Sequence, residues 1–241
     1  MSTREDLTDK VVLTYRSSCI YESDVSLLSP GGWLNDAIIS LALEFIEDEH
    51  HEKVKELLFL QPCTVALCFQ LAPDELSEAL ESLRLNSRRI VCLPINDGAE
   101  FLQAPRSGDK ARGKHWSLLA FDRGGEMGSS AGVSCPCFVH FDSMPGSRNE
   151  GVARLVAEKY WPILCGSDSL VMPRFERGIC SPQTNGFDCG VHTLLVARHL
   201  AERSRAVAVD LRDVTKPSDA EAERRSLLAM VRAKAAGRVA R

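Results

Sequence analysis

Gln183-Thr184-Asn185-Gly186-Phe187-Asp188-Cys189-Gly190 runs directly into Val191, Leu194, Leu195 and Ala197, apolar positions at helical spacing that continue to Arg203. The stretch reads as a polar, glycine-containing turn that delivers one cysteine to the mouth of an amphipathic helix over 190–203. Unpaired backbone N–H groups and the positive end of the helix dipole favour thiolate over thiol there, which makes Cys189 a candidate nucleophile. The other eight of the nine cysteines lack this context and are expected as small buried side chains.

A nucleophilic cysteine requires a base, and the base requires an acceptor that orients its second nitrogen. His115 opens an apolar strand over 116–122, and Asp142 closes a second over 138–142, with a Gly/Ser-rich connection between them. Strands joined without a helical crossover pair antiparallel, and if these two are neighbours Asp142 can accept from the His115 ring. The remaining histidines are weaker candidates. His50 and His51 end a polar helix, His192 and His199 lie along the 190–203 helix, and His140 shares a strand face with Asp142. Cys135-Pro136-Cys137 with His140 spells C-x-C-x2-H, but the second ligand pair of a zinc site does not follow, so neither a metal nor a cofactor is expected.

Outward from these residues, 11–15 reads as a short strand and 21–29 as turn-rich sequence up to Pro30-Gly31-Gly32. Leu34, Ile38, Leu41, Ala42 and Phe45 then mark a helix that Asn35 or Asp36 is placed to cap. Helices are expected over 74–83 and 150–160, strands over 89–95 and 170–175, a loop over 96–114, and a last helix announced by the capping-box pattern Ser218-Asp219-Ala220-Glu221. The fold class expected is a single α+β domain over 11–236, with a mostly antiparallel central sheet surrounded by helices. Residues 1–10 and the basic tail 237–241 flank it. Lys216 to Arg241 carries seven basic residues against three acidic ones, which reads as a solvated helix face.

Composition limits the function classes. With 241 residues, 44% hydrophobic and 26% charged, the chain has enough apolar material for a core of its own. A net charge of −4 supplies no basic excess for binding nucleic acid. Apolar runs such as Val65 to Phe69 are far shorter than a membrane span, and Met1 to Asp6 lacks a secretory hydrophobic region, so no membrane association is expected. Unpaired cysteines fit a reducing compartment, cytoplasm or nucleus, and a monomer is expected.

Lys114-His115-Trp116-Ser117-Leu118-Leu119, His140-Phe141-Asp142-Ser143 and the 183–190 stretch resemble, in the order His, Asp, Gln, Cys, the Ulp/SENP cysteine proteases that act on ubiquitin-like modifiers. Val11 to Tyr15, Ser23 to Leu28, Trp33-Leu34-Asn35-Asp36 and Ile95-Asn96-Asp97 are most similar to the deneddylating branch, and the likeness spans 11 to about 234. The resemblance implies a papain-like fold in which Cys189 attacks, His115 transfers the proton, Asp142 fixes its tautomer, and Gln183 joins the Cys189 backbone N–H in an oxyanion hole. It also implies that Trp33 and Trp116 roof a tunnel admitting a Gly-Gly tail, with Asp36 near that tail.

The partner so implied is a ubiquitin-like modifier, the neddylation modifier first and SUMO as the alternative. A catalytically silent modifier-binding module, or an acyltransferase of the same clan, is the alternative of another class. The segments 96–114 and 123–136 look longer than the pattern of the deneddylating branch.

Overall fold

Alternating apolar residues in the expected strands place side chains on both faces of one sheet, and helices cover each face. The computed structural model describes residues 9–50, 57–98, 115–124, 136–166, 171–203, 212–214 and 219–239. β1 (Val11–Tyr15) and β2 (Ser18–Tyr21) form an antiparallel hairpin, followed by the short α1 (Glu22–Ser26) and the long α2 (Asp36–Glu49). A five-stranded sheet then takes β3 (Leu57–Phe59), β4 (Ile90–Asn96), β5 (Trp116–Asp122), β6 (Cys137–Phe141) and β7 (Arg174–Arg177) side by side in that order. Between β3 and β4 lie α3 (Pro62–Ala66) and α4 (Pro73–Leu80), and α5 (Asn149–Cys165) lies between β6 and β7. α6 (Cys189–Arg203) and α7 (Ala220–Val239) complete the described elements.

The architecture is α+β, and the centre of the sheet is antiparallel: β4 with β5, and β5 with β6. Its outer pairs differ from the expectation. β3–β4 and β6–β7 are parallel, because each is joined through helices that return the chain to the same end of the sheet. The strand expected over 170–175 forms at Arg174–Arg177. The last helix is capped by Asp219, whose Oδ1 accepts from the Ala222 N–H at 2.9 Å, and it continues to Val239, beyond the tail boundary expected at 237. The expected loop 96–114 and connection 123–136 fall largely outside the described residues.

Period-2 alternation divides the core. Ile90, Cys92, Trp116, Leu118, Ala120, Cys137, Val139 and Phe141 face a cluster with α2, α6 and α7. Val91, Leu93, Ile95, Leu119, Phe121 and Phe138 face α4 and α5. With both faces covered, β4, β5 and β6 are buried along their whole lengths, so the ends of β5 and β6 are fixed supports for whatever side chains extend from them.

The cap of α2 is Asn35, not Asp36. Asn35 Oδ1 accepts from the Ile38 N–H at 3.1 Å while its Nδ2 donates to Asp24 Oδ1 at 2.6 Å, and Asp24 Oδ2 in turn accepts from the Tyr21 N–H at 2.9 Å. Asn35→Ala is expected to destabilise the fold by ~1 kcal/mol in urea denaturation. Asn35→Asp, ordinarily an equivalent cap, is expected to fail as well, since it sets a second carboxylate against Asp24. Asn35→Ser is expected to retain most of the stability. Equal stability of the Asp variant and the parent would refute this reading of the cap.

Candidate active site

His115 immediately precedes β5 and Asp142 immediately follows β6, so the antiparallel pairing brings the two to the same end of the sheet. His115 Nε2 lies 2.7 Å from Asp142 Oδ1. The imidazole also hydrogen-bonds the Cys189 sulfur, with Nδ1 the nitrogen left for it. Cys189 is the first residue of α6, which lies against β5. Thus the sheet supplies an imidazole and its carboxylate partner, and a helix packed on that sheet supplies the sulfur. Cys189 is only 3% exposed, but the His115 ring has direct access to it.

Electrostatics follow from these contacts. Burial alone would lower the His115 pKa, but the bond to the Asp142 carboxylate and then the bond to Cys189 outweigh it and push the pKa up to about 9. Asp142, although burial works against its charge, is held below the usual carboxylate range by hydrogen bonds from His115, from the Ser147 hydroxyl and from the Met144 N–H. At neutral pH the ring is therefore an imidazolium beside the sulfur, with an ionised carboxylate behind it.

The backbone of His115 is held at both ends. Its N–H donates to Asp97 Oδ1 at 2.8 Å, and its carbonyl accepts from Asn149 Nδ2 at 2.9 Å. Asn149 is fully buried at the start of α5 and also donates to Ser117 Oγ at 2.9 Å, and that oxygen lies 2.9 Å from His140 Nε2. Asn149 carries no sequence signal beyond that of an ordinary helix-start residue, and Asp97 stands in the sequence only within Ile95-Asn96-Asp97, with no role attached to it. Both hold His115 through its main chain.

Gln183 is fixed beside the same turn. Its N–H donates to the Ser143 carbonyl at 2.9 Å, its Oε1 accepts from Ser143 Oγ at 2.8 Å, and its Nε2 donates to the Asn185 carbonyl at 2.5 Å. Asn185 Oδ1 accepts from the N–H groups of Phe187 and Asp188 at 3.1 and 3.0 Å, which tightens the turn into Cys189. The Ser143 hydroxyl thus turns the amide so that its NH2 faces the cysteine loop. At the start of α6 the Cys189 N–H has no intrahelical partner.

The two tryptophans take different places. Trp33 is 43% exposed, whereas Trp116 is 2% exposed within the core and donates from Nε1 to the Leu34 carbonyl at 2.8 Å. Trp116 therefore supports from below the segment that presents Trp33. Gly190 allows the same segment to approach α6: a Cβ there would lie 2.9 Å from Leu34 Cβ. Asp36 is exposed at the start of α2 and, with Asn96 and Trp116, lines a largely apolar cavity of about 300 Å³.

The other titratable candidates are out of contention. Burial pushes the His140 pKa down to about 4, so it is neutral, and burial also lowers that of His192. Burial pushes Cys68 and Cys137 up to about 12 and Cys180 up to about 11, which keeps them as inert thiols. Cys19 and Cys63 are exposed, against the expectation that every cysteine but Cys189 is buried. Of the C-x-C-x2-H set, Cys135 lies outside the described residues, while Cys137 and His140, three apart on β6, point to opposite faces. Among the described residues no group of three or more His, Cys, Asp or Glu side chains is placed to hold a metal ion.

Comparison with known proteins bears on the fold and the family. The C-terminal Ulp1 protease domain, solved in complex with Smt3, the yeast ortholog of SUMO, superposes with a TM-score of 0.62 over 95% of this chain and 89% of that one, at 15% identity. The fold is thus that of an Ulp1-type protease domain. Sentrin-specific protease 8 of Rattus norvegicus is 35% identical over 190 residues, covering 77% of each chain, and NEDD8-specific protease 1 of Arabidopsis thaliana is 27% identical over 197 residues, covering 80% of this chain and 76% of its own. The chain belongs to the Ulp/SENP family of cysteine proteases. No family model matches it.

Proposed function

We propose that the chain is a thiol protease and isopeptidase that cleaves after the C-terminal Gly-Gly of a ubiquitin-like modifier, with the neddylation modifier as its substrate. The observation that carries this reading is the His115 ring, hydrogen-bonded to Asp142 on one side and to Cys189 on the other. The modifier is suggested by the similarity to a NEDD8-specific protease and to sentrin-specific protease 8.

In the proposed reaction the Cys189 thiolate attacks the carbonyl carbon of the last glycine. The oxyanion so formed is met by the Cys189 N–H and by Gln183 Nε2, a side-chain donor of a kind typically worth ~3 kcal/mol in the transition state. The His115 imidazolium gives its proton to the departing amine, which is a lysine Nζ in a conjugate or an α-amine in a precursor, and a thioester remains on Cys189. The neutral imidazole then takes a proton from water as the water attacks the thioester, and collapse of the second tetrahedral intermediate frees the modifier carboxylate and the thiolate. Asp142 stays ionised throughout and holds the ring's orientation. The exposed face of Trp33, in the segment packed against the start of α6, is the flat surface assigned in this reading to the Gly-Gly tail.

The test is a cleavage panel in which the neddylation modifier, SUMO and ubiquitin each carry a C-terminal fluorophore. Release is expected to be fastest, by at least ten-fold in kcat/KM, with the neddylation modifier. Preference for SUMO, the partner of the Ulp1 structure, would reassign the substrate and keep the chemistry. A folded protein that releases fluorophore from none of the three would end the proposal.

A further inference from the structure

Arg224 belongs to the basic run that the sequence presents as a solvated helix face, yet in the second turn of α7 it is 3% exposed. Its guanidinium donates from both Nε and Nη2 to Asp188 Oδ1, at 2.9 and 2.7 Å. From Nη1 it donates to the Leu27 carbonyl at 2.8 Å, and from Nη2 to the Gly32 carbonyl at 2.5 Å. A side chain at Gly32 would collide with the Leu27 carbonyl, so the glycine is what lets these two carbonyls converge on one cation. The other Asp188 oxygen accepts from Asn185 Nδ2 at 2.7 Å. A single planar group from the last helix therefore joins the residue immediately before Cys189 to the segment immediately before Trp33.

We propose that Arg224 is a positioning residue of the active site, neutralising Asp188, the residue before Cys189, and fixing the spacing between the cysteine turn and the Trp33 segment. The inference rests on Cys189 being the nucleophile. An unpaired carboxylate one residue from the sulfur opposes formation of a thiolate in a site with little water. The charged and titratable groups around this pair are His115 with Asp142 behind it on the sheet side, His192 from α6 in the field of Asp188, and Arg224 itself from α7. Lysine can supply the charge at this position but not the forked donors that reach Asp188, Leu27 and Gly32 at once.

The two roles separate experimentally. The rate of Cys189 alkylation by iodoacetamide reads the charge, and KM for a fluorophore-tagged neddylation modifier reads the placement of the Trp33 segment. Arg224→Met is expected to slow alkylation at about pH 6 by roughly ten-fold, with little change at about pH 9, and to raise KM. Adding Asp188→Asn to Arg224→Met is expected to restore alkylation at the lower pH but not KM. Arg224→Lys is expected to alkylate like the parent while its KM rises by roughly five- to ten-fold.

A parent protein whose Cys189 is not alkylated would defeat the nucleophile assignment itself. A reactive parent with folded Arg224 variants that match it in both readouts would overturn the present proposal. So would a loss spread evenly over alkylation, kcat and KM in all variants, since destabilisation alone gives no such split. If Arg224→Met does not fold, Arg224→Lys decides, and an unchanged KM in that variant overturns the proposal.

Discussion

Cys189→Ala is expected to lower turnover of a fluorophore-tagged ubiquitin-like modifier by about 10⁵-fold or more while leaving its affinity within a few-fold of the parent. The size follows from what is lost. In the proposed reaction the sulfur is the atom that forms the covalent bond, and it lies against an imidazolium at a helix mouth. Without it the remaining groups can only polarise the carbonyl and position water, which is the residual catalysis seen when a nucleophile is removed from a preorganised site. Affinity survives because recognition of a folded modifier spreads over a broad surface, to which one buried sulfur contributes little area. Cys189→Ser is expected to be nearly as inactive, since a hydroxyl is far harder to ionise than a thiol in the same place. Binding by isothermal calorimetry and turnover by fluorescence check the pair. An alanine variant that keeps a tenth of the activity, or that loses binding together with activity, would refute the assignment.

The parts of this site legible in the sequence are those that sit at the ends of periodic elements. The alternation over 116–122 and 138–142 and the helical spacing after Cys189 locate three element ends, and the antiparallel pairing of the two strands then brings His115 and Asp142 within 2.7 Å. What escapes are contacts set by tertiary approach. Asp97 and Asn149 reach the His115 backbone from a loop and from a helix start far apart in sequence. The same is true of Arg224, whose charge resembles its solvated neighbours on α7 until Asp188 and two carbonyls close over it. In the fold, the five-residue α3 and the three-residue β3 are too short to show a period, and that hides the parallel edge pair β3–β4. The two tryptophans look alike in sequence, and only the register of β5, with Trp116 in the same core face as Leu118 and Ala120, puts one beneath the other's segment.

Those supporting contacts bear on how the His115 ring is tuned. With its N–H and carbonyl both tied, His115 has little backbone freedom with which to compensate for a lost side-chain partner. Removal of that partner is therefore felt at the ring itself, as a change in its orientation and in its proton affinity.

Asp142→Asn tests this and carries the second large effect, an expected fall in kcat/KM of roughly 10³-fold near neutral pH. The amide keeps the shape of the carboxylate but lacks its charge, and it can present its NH2 to Nε2, which stabilises a ring with the proton on the wrong nitrogen. The pH profile separates this from general damage. In the parent the imidazolium persists until its pKa of about 9, so activity that needs it declines on the alkaline side near that value. The raised pKa also means that protonated His115 stabilises the folded state fully below its unfolded value of about 6.5, and that this contribution is lost as pH rises through about 9. Without the carboxylate, burial still disfavours the cation and the bond to Cys189 alone opposes it, so the alkaline limb is expected to move to lower pH, toward the ordinary imidazole range. Measuring kcat/KM from about pH 5 to 10, with the ring proton followed by NMR, checks both effects. A variant that keeps its alkaline limb near pH 9 would show that Asp142 does not set the proton affinity of His115.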